Sequence, residues 1–220
     1  MQADPITLAT RPRRGGRPAA KDAGDVDRRI LDAAASLFRQ RGFDATSCEQ
    51  VVTQAGAGKA SLYARYANKE ALFTAVVHDH VERSLAPAGD VPLDLPLAAR
   101  LQAVGHSILT HSLQPDVVAL MRVVLATAHR MPDLARLADR IGRDRAVERV
   151  ATTIVGTATG AETLDRARRV ADTFIDLVFL PMQMRALLGD DPATLARGAD
   201  ERIGEAVALL MKGGVLDDWA

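Results

Sequence analysis

Two short helical patterns meet at Ala55-Gly56-Ala57-Gly58, and nothing else in the chain constrains its fold as tightly. The first opens at Thr46-Ser47-Cys48-Glu49, a capping-box spacing with a hydroxyl at the cap and a carboxylate three residues on. The second spans Lys59 to Tyr66, and Gly56 supplies the turn that a side chain would crowd. Upstream, from Asp25 to Arg41, the residues Ile30, Leu31, Ala34, Leu37 and Phe38 form one apolar stripe of helical period, stopped by Gly42. A helix that braces two short helices across a glycine turn is the unit that lays one helix in the major groove of DNA. Thr46, Val51, Val52, Ala55, Ala57, Leu62 and Tyr66 fall where residues would pack those helices together.

The rest of the chain also reads as helix. Asn68 caps a fourth helix that continues through Leu72, Phe73, Val76 and Val77. Pro87 to Pro96, with three prolines, reads as a linker. Beyond it, helices are expected over 97–113, 116–130, 132–157, 162–188 and 192–211, with Pro181 expected to kink or break its helix. No strand alternation is evident, so the fold class is all-α: an N-terminal three-helix helix-turn-helix domain followed by a C-terminal helical bundle. Residues 1–23, rich in Arg, Pro, Gly and Ala, read as a flexible basic arm, 24–72 as the helix-turn-helix DNA-binding domain and 73–220 as a helical domain.

Charge supports this division. The 28 basic and 28 acidic side chains balance, yet residues 1–70 carry 12 Lys or Arg against 8 Asp or Glu. A basic end on an acidic body suits a protein that touches phosphates with one end. The single cysteine, Cys48, excludes an internal disulfide and a thiol-rich metal site, and reads as a small buried residue. No apolar run approaches the ~20 residues needed to span a bilayer. The charges of the N-terminus follow a weak apolar patch, the reverse of a secretory signal, so a cytoplasmic protein without membrane association is expected. No glycine-rich phosphate loop, nucleophile in a known setting or HExxH motif is present, so neither an enzyme nor a cofactor is expected. His78 and His80, two apart on a helix, point in different directions rather than at one metal.

The literal residues go further. Gly42-Phe43-Asp44-Ala45-Thr46-Ser47, Ala55-Gly56-Ala57-Gly58-Lys59-Ala60-Ser61-Leu62-Tyr63 and Asn68-Lys69-Glu70-Ala71-Leu72-Phe73 closely resemble the DNA-binding domain of the TetR family of repressors, over about residues 25–75. Met121 to Ala135 and Phe174 to Gly189 resemble the C-terminal domains of the AefR-like branch of that family. The resemblance implies a homodimer that binds a palindromic double-stranded DNA operator and is released by a small-molecule effector, with 73–220 as the ligand-binding and dimerisation domain. It implies that Thr46 and Ser47 bond phosphate, that Lys59, Ala60 and Ser61 open the recognition helix over base edges, and that Tyr63 meets a phosphate or a thymine methyl. Arg65 and Lys69 would clamp the DNA backbone, and Arg13, Arg14 and Arg17 would reach the adjacent minor groove. Gly58 stands where the family commonly has Ser, Ala67 where Lys, Gly or Pro is common, and Ala64 in place of an aromatic or His.

In the C-terminal domain, His106, His111, Met121, Arg122, Leu125, His129, Phe174, Phe179 and Met182 are expected to line an effector cavity, with Arg122 and His129 on one helix face. The last helix carries Leu195, Ala199, Ile203, Ala206, Val207 and Leu210 on one stripe. That stripe is expected to pack, with the preceding helix, against its symmetry mate as a four-helix interface.

Overall fold

The computed structural model describes residues 20–84, 91–157 and 160–219. Among these, ten helices and no strand occur: α1 (Ala20–Arg41), α2 (Cys48–Ala55), α3 (Lys59–Tyr63), α4 (Lys69–Ser84), α5 (Leu97–Ser112), α6 (Pro115–Thr127), α7 (Pro132–Val155), α8 (Ala161–Leu188), α9 (Pro192–Arg197) and α10 (Ala199–Lys212). α1 begins inside the stretch expected to be arm, because Ala20 and Lys21 are strong helix formers. Arg13, Arg14 and Arg17 lie outside the described residues.

Local chemistry moves several helix ends. Ser47, not Thr46, is the N-cap of α2: its hydroxyl accepts from the Gln50 amide, and the Gln50 side chain accepts from the Ser47 amide. Gly56 ends α2 at φ 59°, a left-handed conformation that explains why glycine stands there. α3 stops at Tyr63, three residues short of expectation, and Asn68 accepts from the Ala71 amide to start α4. Gly198 divides the expected last helix into α9 and α10, with Asp191 capping α9.

α1 to α4 enclose one core, in which Phe38, Phe43 and Phe73 meet with ring centroids 4.8 to 5.8 Å apart. That core continues into α6 through Leu120, Val123 and Val124 and into α7 through Leu134 and Ala138. The boundary expected between residues 72 and 73 therefore falls inside α4 and inside a shared core. Polar ties follow the same seam: Arg39 pairs with Asp116, and Arg130, in the α6–α7 turn, pairs with Asp44 at 2.6 Å with its guanidinium over the Phe43 ring.

A second core joins α5, α7, α8 and α10 around Leu101, Leu109, Ile154, Phe174 and Ile203. α5 passes so close to α8 and α10 that a Cβ at Gly105 would lie 2.9 Å from Phe174 Cζ and 3.2 Å from Ile203 Cγ2. Here the expected dimer face is corrected. Leu195, Ala199, Ile203, Ala206, Val207 and Leu210 are all buried within the chain itself, where they close its own bundle. The exposed large apolar residues of α8 and α10 are instead Leu180, Met184 and Leu188, spaced four apart on α8, and Leu209 on α10. α8 runs unbroken past Pro181. Among the described residues no single helix is long and apolar enough to cross a membrane.

Candidate DNA-binding surface and effector cavity

α2 and α3 present one outer face. Lys59, Ala60 and Tyr63 are exposed on α3, and Tyr63 is 49 % exposed. Ser61 is half-buried, and Leu62 faces inward and is fully buried. Beside this face, Asp44 to Gln50, Tyr63 and Ala67 to Lys69 line an open groove of about 540 Å³. Ser47 opens onto that groove: its oxygen accepts from the Gln50 amide, and its hydroxyl interacts with the Glu49 carboxylate. Thr46 is 2 % exposed and donates its hydroxyl to the Gly42 carbonyl at 2.8 Å, so its expected phosphate contact is corrected to a loop bond.

The cations near the groove are already engaged. Lys59 donates to Glu49 at 3.1 Å, and that bond holds the Glu49 carboxyl below its ordinary value. Both side chains are more than half exposed, so the pair contributes little to stability and yields readily to a stronger anion. Arg65 pairs with Asp27 at 3.2 Å and donates to the Ser61 carbonyl at 2.8 Å. Asp27 also accepts from the Tyr66 hydroxyl at 2.9 Å, and burial together with that carboxylate pushes the phenol well above its usual range. Lys69 points back at the α1–α2 loop: it donates to the Phe43 carbonyl at 2.9 Å and stands 4.4 Å over the Phe43 ring. Arg65 and Lys69 thus hold the reading head together, which a surface reading of their charges does not reveal. Burial pushes the Cys48 thiol up, so it stays protonated beneath Tyr63.

A separate cavity of about 100 Å³ lies between α4, α5, α6, α7 and α8. Of the residues expected there, His111, Met121 and Phe179 line it. Six do not. His106 is exposed and pairs with Asp200 at 2.7 Å. Arg122 turns outward and donates to the Ala186 and Leu187 carbonyls at the end of α8. Leu125 and His129 are exposed, the latter because α6 ends at Thr127. Phe174 and Met182 belong to the second core instead. The residue that sequence reasoning missed is His80 of α4, together with Arg149 of α7 and Gln183 of α8. An imidazole one turn beyond Val76 and Val77, inside an otherwise apolar helical stripe, was the available signal.

Known proteins share these features. The family described as "Bacterial regulatory proteins, tetR family" matches residues 30–76, and "AefR-like transcriptional repressor, C-terminal domain" matches residues 99–213, more than half of the chain. HTH-type transcriptional repressor ComR of Escherichia coli (strain K12) is 41 % identical over 71 residues, 32 % of this chain and 32 % of its own length. The chain thus aligns with about a third of the length of that relative. Among solved structures, a TetR-family transcriptional regulator from Mesorhizobium loti MAFF303099 is 24 % identical with a TM-score of 0.69, covering 85 % of this chain and 97 % of that one. The flavonoid-responsive regulator FrrA is likewise 24 % identical, with a TM-score of 0.66, over 86 % of this chain and 97 % of its own. These structural likenesses are in the fold. With helix-turn-helix and bundle both matched, the chain belongs to the TetR family of DNA-binding transcriptional regulators, carries an AefR-like C-terminal domain, and is not an enzyme.

Proposed function

We propose that the protein is a repressor that binds a palindromic operator as a homodimer and is released when a small molecule enters the cavity between α4 and α8. The observation that carries this reading is the course of α4. One helix runs from Lys69, at the groove beside the recognition helix, to His80 and Val81 in the cavity wall. These ends lie ~17 Å apart at ~1.5 Å per residue, so a tilt of α4 imposed at one end displaces the other. The ligand's leverage is its difference in affinity between the two arrangements.

In this reading Ser47, Lys59, Ala60, Ser61 and Tyr63 meet the DNA, and Arg13, Arg14 and Arg17 add phosphate contacts from the residues before α1. The second copy covers Leu180, Met184, Leu188 and Leu209, an apolar strip that a monomer would leave in water. Two recognition helices then read half-sites about one helical turn, ~34–36 Å, apart. Such a reader of chromosomal DNA works in the cytoplasm. Effector responsiveness, the property in FrrA's name, is extended to this chain as part of the proposal.

The test is fluorescence anisotropy of the full chain on its own upstream DNA and on a shuffled duplex, across a salt series, with sedimentation to read the oligomer. Selective binding by a dimer that weakens steeply with salt is the expected result. Equal binding to both duplexes, or a monomer that Leu180→Glu leaves unchanged, overturns the reading.

A further inference from the structure

His80 and His111 both line the cavity. The Nε2 of each is buried and has no hydrogen-bond partner among the described residues. Burying such a group unsatisfied is costly, so native proteins rarely keep two of them in one place. The remaining walls are mostly apolar, with Val77, Ile108, Met121 and Phe179 among them. Ser112 lines the cavity but gives its hydroxyl to the Leu109 carbonyl, and Arg149 donates to Ser107 at 3.2 Å.

We infer that this cavity takes a small uncharged molecule, an apolar body of about one six-membered ring bearing a single hydroxyl, which donates to one of these two imidazoles and accepts from the other. The inference rests on the effector-responsive reading above and narrows it to a ligand class. A hydroxyl is the smallest group that donates and accepts at once, and two neutral imidazoles, free to choose tautomers, offer the complementary acceptor and donor. Size sets a limit: an apolar cavity of ~150 Å³ binds benzene, and this one is about 100 Å³, so a ring enters only as the flexible side chain of Met121 in its wall gives way.

Charge is selected against. Burial holds both imidazoles below their ordinary value of 6.5, so they are neutral at neutral pH. Arg39 and Arg83, opposed by Asp116, act on His80, and Arg149 acts on His111. A cation would therefore meet repulsion. An anion would lose its hydration to mostly apolar walls and two neutral rings, and the arginine among the lining residues, Arg149, would have to leave the Ser107 hydroxyl to meet it.

The test is calorimetric titration of the full chain with phenol, toluene and benzoate, accompanied by ¹⁵N NMR of the histidine rings. Phenol is expected to bind, toluene to bind about tenfold more weakly, and benzoate not at all. His80→Phe and His111→Phe are each expected to weaken phenol about tenfold while leaving toluene unchanged. If either variant fails to unfold cooperatively, the wild-type spectra decide: phenol, unlike toluene, must shift the Nε2 resonances of two of the five histidines. Absence of phenol binding, no preference over toluene, tightest binding of benzoate, or unmoved histidine resonances would each overturn the inference. DNA anisotropy without ligand separates the two levels. Selective DNA binding with no phenol binding sinks the ligand class alone, whereas phenol binding without selective DNA binding sinks the repressor reading.

Discussion

Arg202 of α10 donates its Nε to the carbonyl of Leu177 at 3.0 Å, and that carbonyl is the one Pro181 leaves without an intrahelical partner. The bond explains how α8 runs its 28 residues without a break, and it ties α10 to α8 at that point. Arg202→Met, which keeps the apolar stem, is expected to lower stability by about 1–2 kcal/mol in urea unfolding. In a Pro181→Ala background, where residue 181 regains its amide hydrogen, the same change should cost much less. Equal losses in both backgrounds would show that the arginine acts otherwise.

Gly105→Ala sets two effects against each other. Alanine gains up to about 1 kcal/mol of helix propensity. Against this, its methyl would stand 2.9 Å from the Phe174 ring, inside a packed core where overpacking costs about 1–3 kcal/mol. Thermal unfolding should therefore show a net loss. A rise in the midpoint would mean that the ring moves aside freely.

Acid should weaken the fold through His80 and His111. Their folded values lie below 6.5, so under more acidic conditions the unfolded chain binds protons that the folded chain refuses. Stability is fully present above pH 6.5 and falls as the pH drops below it. Urea midpoints at about pH 7.5 and 5.5 check the sign. The His80→Phe, His111→Phe double variant should show a shallower decline, and an unchanged decline would assign the effect to other groups.

Arg130→Ala removes the clamp on Asp44 and the cation over Phe43. Arg130 and Asp44 are largely exposed, so global stability should change by less than about 1 kcal/mol. Hydrogen exchange in the 42–46 loop should nevertheless quicken, because the tie from the α6–α7 turn is gone. Unaltered exchange there would show that Lys69 and the Thr46–Gly42 bond hold the loop without it.

Glu49→Gln should strengthen DNA binding. It removes an acidic group beside the groove and releases Lys59 to a phosphate, which should steepen the salt dependence by about one unit of slope. Tyr63→Ala, by contrast, should weaken selective binding by about 1–3 kcal/mol. Anisotropy titrations of the two variants on one duplex compare them directly.

The helix-turn-helix was legible in the sequence because its determinants are local. The glycine at residue 56, the Asn68 cap and the spacing of Ile30, Ala34, Leu37 and Phe38 each act within a few residues of themselves. Even so, Thr46 with Glu49 and Ser47 with Gln50 satisfy the same capping rule one residue apart, and only the folded loop, which takes the Thr46 hydroxyl for Gly42, selects the second. The C-terminal half was legible only as amphipathic helices. Such a helix carries the same apolar stripe whether its own chain or a second copy covers it, so the sequence could not say that Ile203 and Val207 face inward while Leu180 and Leu188 face out. Nor could it bring His80 and His111 to one cavity, since that depends on how α4 and α5 are arranged with α6, α7 and α8 around it. By itself, then, the sequence determined the helices and the reading head. The tertiary structure decided which faces are spent on the core, which cations are tied down, and where two imidazole nitrogens are left without partners among the described residues, because each of those depends on what is brought near from far along the chain.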